Sequence, residues 1–215
     1  MAKQKYSYEL EKEYYSAHWP DDLYPNDHFL TYLTTWLDPV EVFNGKRVLD
    51  IGAGECAYTR LIVNRFNPKE VIASDLFVKR MMPTVRHNKN DKLKFVQADV
   101  FYLPFAEKSF DVVFGSLILH QLPDLEKCVK EISRVLTSNG LYIGVEANPY
   151  NLVHLYRYIL GKHSKNQYLL SYRHLKVFKN FGFKISVKYF YANLPWFKNR
   201  IIGTLMGIYA ERITF

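Results

Sequence analysis

The stretch Val48-Leu49-Asp50-Ile51-Gly52-Ala53-Gly54-Glu55-Cys56 is an apolar run that ends at a carboxylate and two glycines. A short apolar run of this kind predicts a buried strand in a sheet. Glycines directly after a strand let the backbone turn tightly and let a ligand approach without meeting a Cβ atom. Taken alone, such a turn is a weak signal, since glycine-rich turns also serve packing. Residues 48–56 therefore predict a strand, a turn able to hold a ligand, and the start of a helix.

Further apolar runs follow this turn, separated by stretches with helical spacing. The predicted strands are residues 47–51, 71–74, 93–96, 110–116 and 140–145, with one more from 183 to about 191. The predicted helices cover residues 58–66, a segment that Asp124 caps and Asn139-Gly140 ends, and residues 171–180. Buried strands that alternate with amphipathic helices are typical of an α/β fold. We expect a Rossmann-like, doubly wound, mostly parallel sheet with helices on both faces.

Composition limits the class of protein. The chain has 215 residues, enough for one well-buried domain, and no apolar run approaches the ~20 residues needed to cross a bilayer. Residues 1–6 are followed by acidic and aromatic residues rather than by the apolar core of a signal peptide. Cys56 and Cys128 have neither disulfide-framework nor metal-ligand spacing. These features predict a reduced, cytoplasmic protein without a metal site.

Acidic side chains follow three successive predicted strands. Asp50 ends the first strand, and Asp75 follows the second, about 20 residues past the glycines, where an acid binds the ribose hydroxyls of an adenosine ligand. Asp99 ends the third strand and is placed to accept a hydrogen bond from an adenine amino group, with Leu76 and Val100 on the ring faces. Helix capping by Asp75 and a turn at Asp99 are the alternatives. Acids at the ends of three successive strands favour a ligand-binding site over three separate local roles.

The ordered combination of these segments resembles the class I S-adenosylmethionine-dependent methyltransferases. The resemblance covers roughly residues 43–146 and rests on residues 48–54, 73–75, 98–105, 109–120 and 131–140. Its last part is most similar to the type 11 group, which includes quinone-biosynthesis C-methyltransferases. Two positions depart from the family pattern: Cys56 replaces the third glycine, and Ser138-Asn139-Gly140 stands where Pro-Gly-Gly is common. Neither departure removes a group that must contact the cofactor.

The resemblance implies an enzyme that binds S-adenosyl-L-methionine and transfers its methyl group. The residues that it implies for cofactor binding are Asp50, Gly52, Gly54, Asp75, Leu76, Asp99, Val100 and Ser116. A dehydrogenase is the competing interpretation of a glycine-rich turn. A dinucleotide pyrophosphate favours a helix N-terminus that is free to hold an anion, whereas Glu55 opens the helix here and suits cationic sulfonium and ammonium groups.

Two side chains at the same edge of the predicted sheet are candidates for catalysis. The methyl group of a sulfonium is already activated, so transfer needs placement of the acceptor and, for a hydroxyl or carbon acid, a base. His120, just after the fourth strand, is placed to be that base or else shapes the cofactor pocket. Glu146 ends the fifth strand and either binds the acceptor or caps a turn.

The positive charge of the chain lies in its C-terminal part. Residues 151–215 contain 11 Lys or Arg and one acid, whereas residues 1–150 contain 18 basic and 20 acidic residues. This asymmetry predicts either a solvated basic face or a surface that meets an anionic partner. Apolar residues within 196–209 recur at helical spacing beside Lys198 and Arg200, which predicts an interfacial helix. A core helix or the last strand of the sheet is the alternative.

These observations divide the chain and leave three hypotheses about function. We expect an N-terminal helical arm at residues 1–42, the S-adenosylmethionine-binding core at 43–146, and a substrate-side or lid segment with the terminal elements at 147–215. The first hypothesis is methylation of a small-molecule or lipid-linked acceptor by a cytoplasmic protein that contacts the anionic inner face of a membrane. The second is a tRNA or rRNA methyltransferase that uses the basic segment. The third is a non-catalytic S-adenosylmethionine-binding protein.

Overall fold

The computed structural model describes residues 39–152, 156, 159, 170–190 and 205–213. Its strands are β1 (Arg47–Ile51), β2 (Glu70–Asp75), β3 (Leu93–Gln97), β4 (Phe110–Ser116), β5 (Leu136–Ala147), β6 (Phe183–Phe190) and β7 (Leu205–Arg212). Its helices are α1 (Pro39–Phe43), α2 (Ala57–Arg65), α3 (Val78–His87), α4 (Leu125–Val135) and α5 (Tyr172–Leu175), with 3₁₀ turns at Leu119–Gln121 and Lys176–Phe181. The predicted N-terminal arm lies outside the described residues as far as residue 38.

One sheet contains all of these strands in the order β3-β2-β1-β4-β5-β7-β6. Strands β1 to β5 are parallel, and β7 is antiparallel to both β5 and β6. After β3 the chain crosses to the other side of β1, so the strand order reverses between β1 and β4. Ligands bind beyond the carboxyl ends of the strands at such a point. The prediction of a Rossmann-like, mostly parallel sheet is confirmed.

Apolar side chains cover both faces of the sheet. On one face Phe43, Ile62 and Met81, from the first three helices, lie in one buried cluster with residues of β1 and β2. On the other face Val129 of α4 packs in a second cluster that includes Phe178. Burial on both faces explains why the central strands are apolar at successive positions instead of alternating with polar residues.

Most predicted boundaries agree with the structure, and two differ near α4 and β5. Asp124 caps α4 as predicted, because its Oδ1 accepts a hydrogen bond from the backbone N–H of Lys127 at 3.0 Å. The helix ends at Val135, however, and β5 begins at Leu136 instead of near Gly140. The strand β5 therefore includes Ser138-Asn139-Gly140, the segment that departs from the family pattern. The pairing of β5 with β4 is irregular over these residues.

The predicted helix at residues 171–180 is shorter than its sequence suggests. Only Tyr172–Leu175 is α-helical, and the chain continues as a 3₁₀ turn through Phe181. Gly182, with a φ of +77°, then leads into β6. A left-handed residue at this position is typical of a helix end and is accessible to glycine at low cost.

The interfacial helix predicted within residues 196–209 is wrong where the structure describes it. Residues from Leu205 onward form β7, which lies between β5 and β6, and Met206 and Ile208 are fully buried. The alternative of a last sheet strand is therefore confirmed for these residues, while residues 196–204 lie outside the described part. Among the described helices, none combines the length and apolar character that a bilayer crossing requires.

Candidate functional site

The glycine turn after β1 has a geometry that glycine alone accommodates easily. Gly52 and Gly54 have φ values of +64° and +53°. A Cβ atom on Gly52 would collide with the side chain of Ile118, and one on Gly54 would lie 2.9 Å from Nη2 of Arg80. The backbone N–H of Ala53 donates to the carbonyl of Ser74 at 2.9 Å, which ties the turn to β2. The backbone conformation therefore favours glycine at both positions, and the contact with Ile118 adds to this preference at Gly52.

The carboxylate of Asp75 joins the glycine turn to the start of α3. Its Oδ2 accepts the backbone N–H of Gly54 at 2.8 Å, and its Oδ1 accepts the backbone N–H of Phe77 at 2.8 Å. The side chain is buried. Each carboxylate oxygen has a second lone pair, so Asp75 retains the capacity to accept two further hydrogen bonds. This geometry is compatible with both predicted roles, the binding of hydroxyls and the capping of the next helix.

Asp50 lies beneath the turn and is almost completely buried. Its Oδ2 accepts a hydrogen bond from Oγ1 of Thr59, and its backbone carbonyl accepts one from Oγ of Ser74 at 3.0 Å. Burial raises the pKa of Asp50 from 3.8 to about 7, the Thr59 hydrogen bond lowers it, and the charge of Asp75 raises it further. Asp50 is thus a buried acid that exchanges a proton near neutral pH, directly below the backbone that would meet a ligand.

Cys56, which replaces the third glycine of the family pattern, adopts a left-handed backbone at the start of α2. Its φ is +61°, a value that is costly for a side chain with a Cβ atom. The side chain is fully buried, and Sγ lies 3.7 Å from the carbonyl oxygen of Gly54. Burial raises the pKa of the thiol to about 12. Cys56 is therefore a protonated packing residue of the turn and not a nucleophile.

The ends of β2 and β3 place Leu76, Asp99 and Val100 at one edge of the site. Leu76 is exposed, Val100 is half-buried, and the Leu76 carbonyl accepts a hydrogen bond from Nε2 of Gln97 at 3.0 Å. Oδ1 of Asp99 accepts the backbone N–H of Phe101 at 2.9 Å, so Asp99 does shape a turn. Only one carboxylate oxygen of Asp99 forms this turn. The other oxygen is compatible with the second predicted role, a hydrogen bond to a ligand.

Glu146 and His120 form a hydrogen-bonded pair at the ends of β5 and β4. Oε2 of Glu146 lies 2.6 Å from Nδ1 of His120, and Oε1 accepts the backbone N–H groups of Ile118 at 3.1 Å and Leu119 at 2.7 Å. The Glu146 side chain is 0% exposed and that of His120 is 12% exposed. A carboxylate against Nδ1 keeps the proton on that nitrogen, so Nε2 becomes the acceptor of the ring.

The loop that carries His120 contains a strained residue. Leu117 has a φ of +54°, an uncommon conformation for a side chain of its size. Its N–H donates to the carbonyl of Val145 at 2.7 Å, and its carbonyl accepts a hydrogen bond from Nε2 of Gln121 at 2.7 Å. Hydrogen bonds on both sides of Leu117 therefore hold the loop in one shape.

Ser116, the last residue of β4, lies beside the hydroxyl of Tyr58. Burial raises the pKa of that hydroxyl.

Three residues of the site were not predicted from the sequence. Thr59 binds Asp50, while Ile118 and Arg80 lie against the two glycines. The role of Thr59 could have been predicted from its distance along the chain from Asp50. Thr59 lies in the first turn of the helix after β1, and a hydroxyl at that position can reach back to an acid at the end of the strand. The positions of Ile118 and Arg80 depend on how separate elements pack, and no local pattern indicates them.

Comparison with known proteins gives a family match for the central part of the chain and two curated relatives. Residues 49–144 match a family described as a methyltransferase domain. The chain is 34% identical over 122 residues to the malonyl-[acyl-carrier protein] O-methyltransferase of Halorhodospira halophila, covering 54% of this chain and 39% of that protein. It is 31% identical over 105 residues to the fatty-acid O-methyltransferase of Mycolicibacterium smegmatis, covering 49% and 38%. The chain thus spans about two fifths of the length of these curated relatives.

The fold is shared with solved structures. An S-adenosylmethionine-dependent methyltransferase from Mesorhizobium loti superposes with a TM-score of 0.69 at 17% identity, over 84% of this chain and 95% of that one. The family match includes the glycine turn, β2 with Asp75, β4 and the His120 loop, which are the elements that form the site. Residues 49–144 therefore match a methyltransferase domain, and the predicted resemblance to S-adenosylmethionine-dependent methyltransferases is confirmed over that part of the chain.

Proposed function

We propose that this protein transfers a methyl group from S-adenosylmethionine to a small-molecule or lipid-linked acceptor. One structural observation carries the proposal: the glycine turn and the His120–Glu146 pair meet at the point where the strand order reverses. Ile118 packs on Gly52 and lies two residues before His120, and Glu146 binds the backbone of Ile118. A cofactor held on the turn would therefore lie beside a histidine whose orientation is fixed.

The side chains of the site fit S-adenosylmethionine. The buried carboxylate of Asp75 can accept ribose hydroxyls, and Leu76 and Val100 offer apolar surface to an adenine ring. Glycine backbone at residues 52 and 54 lets a ligand approach closely. Asp50 supplies a negative charge, when ionised, below a cofactor that carries positive charge. When bound, the cofactor supplies a methyl group that its sulfonium has already activated.

His120 is proposed as the base for acceptors that must lose a proton. Its Nδ1 is bonded to Glu146, so Nε2 is the nitrogen that takes a proton from a hydroxyl or a carbon acid. The negative charge of Glu146 then stabilises the imidazolium that forms. Placement of the acceptor in line with the methyl group contributes on the order of 7–11 kcal/mol to reactions of this kind. Glu146 itself is buried, so we propose that it positions His120 and does not bind the acceptor.

The acceptor class follows from the names of the relatives, which are O-methyltransferases of malonyl-acyl-carrier protein and of fatty acids. A carboxylate is already ionised at neutral pH and needs no base, whereas a hydroxyl does. A free or carrier-linked carboxylic acid is therefore our first choice of acceptor, with a hydroxyl or carbon acid as the alternative that would use His120 as a base. We further propose that the reaction occurs in the cytoplasm.

The basic C-terminal part supports a second candidate, methylation of tRNA or rRNA. Lys184 and Lys188 are exposed on β6, and no Asp or Glu occurs between Ala147 and Ala210. Such a surface suits a phosphate backbone. Retention on heparin that falls steeply with salt, together with methylation of an RNA, would favour this candidate over the first.

The proposal is tested by native mass spectrometry and by product formation. The protein as purified should carry S-adenosylmethionine or its demethylated product, visible as a mass increment. Formation of the demethylated product should then be followed with a fatty acid, a malonyl thioester, a phenol and a short RNA. Turnover with an acid or a phenol supports the proposal, turnover with RNA alone supports the second candidate, and cofactor binding without any turnover contradicts both.

A further inference from the structure

Three large apolar side chains after β5 are exposed on one side of a helical segment. Leu152, Tyr156 and Ile159 are each helical and are 64%, 63% and 72% exposed. Their spacing of four and then three residues places them on the same helix face. Leu and Ile are among the residues most often buried in folded proteins, and a contiguous apolar patch on a surface marks a contact with a partner or a membrane. We name these three residues the apolar stripe.

The segment that leads into the apolar stripe is fixed to the body of the protein. Asn148 and Asn151 are buried, and Oδ1 of Asn148 accepts the backbone N–H of Tyr150 at 3.0 Å. The N–H of Asn151 donates to the Asn148 carbonyl at 3.2 Å. The ring of Tyr150 packs edge-on against that of Tyr189, with 5.9 Å between centroids. The stripe therefore begins from a rigid support next to the end of β6, five residues after β5.

Exposed lysines on β6 and basic residues in the neighbouring sequence accompany the apolar stripe. Lys188, next to Tyr189 on β6, is exposed, and so is Lys184 on the same strand. In the sequence, Arg157, Lys162 and Lys165 lie within or just after the stripe, and Asp and Glu are absent from residue 147 to residue 210. Apolar side chains flanked by cations and without acids are complementary to a surface that is apolar inside and anionic outside.

We propose that the apolar stripe docks the protein on an anionic lipid bilayer, with Leu152, Tyr156 and Ile159 in the headgroup boundary. A stable protein partner needs roughly 800 Å² of surface on each side, far more than three side chains supply. A nucleic acid would use the cations but would leave the apolar side chains in water. The proposed surface consists of Leu152, Tyr156 and Ile159 and differs from the segment 196–209 from which the sequence predicted membrane contact. It adjoins the edge of the sheet that holds the proposed methyl-transfer site.

Vesicle sedimentation with the full chain tests this inference. The wild-type protein should sediment with phosphatidylcholine vesicles that contain phosphatidylglycerol, less at high salt, and only weakly with phosphatidylcholine alone. Leu152→Asp combined with Ile159→Asp should lower the partition coefficient about tenfold or more, because each buried side chain of this size contributes at least that factor. Tyr156→Ser should lower it to a smaller extent.

Val40→Asp is the matched control, because Val40 is 56% exposed on α1, which precedes the amino end of β1. Val40→Asp should sediment like the wild type. Calorimetry with S-adenosylmethionine should give the same affinity for every variant, which shows that each is folded and separates this inference from the proposed enzymatic function. Absence of wild-type sedimentation with anionic vesicles overturns the inference. Equal sedimentation of the wild type and the double variant overturns it as well, as does an equal loss in Val40→Asp.

Discussion

Oε2 of Glu146 lies 2.6 Å from Nδ1 of His120, while Oε1 of the same carboxylate accepts the N–H groups of Ile118 and Leu119. One buried side chain at the end of β5 thus holds both the backbone and the imidazole of the loop that follows β4. Because Glu146 is fully buried, we propose that it acts on a substrate only through the loop that it holds, including His120. Glu146 is in this sense a positioning residue.

Glu146→Gln should reverse the orientation of the His120 proton. The glutamine can keep an oxygen for the two backbone N–H groups, but its amide then faces Nδ1 as a donor, so the ring must carry its proton on Nε2. We expect turnover with a hydroxyl acceptor to fall by ~10²–10³-fold, with cofactor affinity within threefold. ¹⁵N NMR of His120 reports the tautomer. Glu126→Gln, at an exposed carboxylate of α4, is the control. An unchanged tautomer with normal turnover would contradict the positioning role.

His120→Ala should separate the two classes of acceptor. With a hydroxyl acceptor the variant should lose ~10²–10⁴-fold in turnover, because no other group takes the proton. With a carboxylate acceptor the loss should stay within about tenfold, since no proton has to be removed. Cofactor affinity, measured by calorimetry, should change only a few-fold. Equal losses in turnover and in cofactor affinity would instead identify His120 as a pocket residue.

Asp75→Ala should weaken cofactor binding at least tenfold. The wild type should bind S-adenosylmethionine or its demethylated product with micromolar or better affinity, ~8 kcal/mol. The variant loses the proposed acceptor for the ribose hydroxyls and also the hydrogen bonds to Gly54 and Phe77. Calorimetry measures the affinity, and circular dichroism checks the fold. Asp91→Ala, at an exposed acid before β3, should bind normally. Unchanged affinity in a folded Asp75→Ala protein would remove this residue from the site.

Gly52→Ala and Gly45→Ala form a matched pair. Both glycines have positive φ values, +64° and +69°, but a Cβ atom would collide with Ile118 only at Gly52 and meets nothing within 4 Å at Gly45. Gly45→Ala should lower the free energy of unfolding by about 1 kcal/mol from backbone conformation alone. Gly52→Ala should lower it by a further ~1–3 kcal/mol and should weaken cofactor binding. Denaturant unfolding tests this, and equal destabilisation by the two substitutions would show that the Ile118 contact is unimportant.

Asp50→Asn should change how stability depends on pH. Burial raises the pKa of Asp50 from 3.8 to about 7, so between these values the folded protein holds a proton that the unfolded chain releases. The contribution of Asp50 to stability therefore decreases as pH rises from about 4 to about 7 and is constant above. Asn lacks this decrease and can still accept the Thr59 hydrogen bond.

The free energy of unfolding of Asp50→Asn, minus that of the wild type, should thus increase with pH across this window by up to about 4 kcal/mol. Urea denaturation at several pH values measures the difference. The lowered pKa values of Glu70 and Glu131 cancel in this comparison because both proteins contain those groups. A difference that is independent of pH would contradict the raised pKa.

The pattern of apolar residues along the sequence predicted the parallel strands of the sheet correctly but did not predict the antiparallel strand β7. The bounds of β1 and β4 agree with the predicted strands because an apolar run bounded by turn residues is itself the signal. Strand β7 is different: Met206, Ile208 and Ala210 are buried on one face, and the apolar side chains of the other face are half-buried. Apolar residues at many successive positions match a helical stripe as well as a strand, and only pairing with β5 and β6 decides between them.

The candidate site likewise contains residues that the sequence could predict and contacts that it could not. Asp75 and His120 could be proposed as site residues because Asp75 ends β2 and His120 lies four residues after β4, at the edge where ligand-binding residues of such sheets collect. The hydrogen bonds of Glu146 to Ile118 and Leu119 were not, because they depend on the register between two strands that a helix separates in the chain. The sequence could place Glu146 at the same edge of the sheet, but not beneath the His120 loop.

The position of β7 has a consequence for synthesis of the protein on the ribosome. β7 comes later in the chain than both strands that it joins, so β5 has no antiparallel neighbour until residues 205–212 have left the exit tunnel. During that interval the nascent chain presents an open, apolar strand edge, which is a template for pairing with other chains. Chaperone dependence and losses to aggregation should therefore concentrate in the interval before residues 205–212 have emerged, and ribosome stalling before residue 205 should leave a chain that protease digests readily.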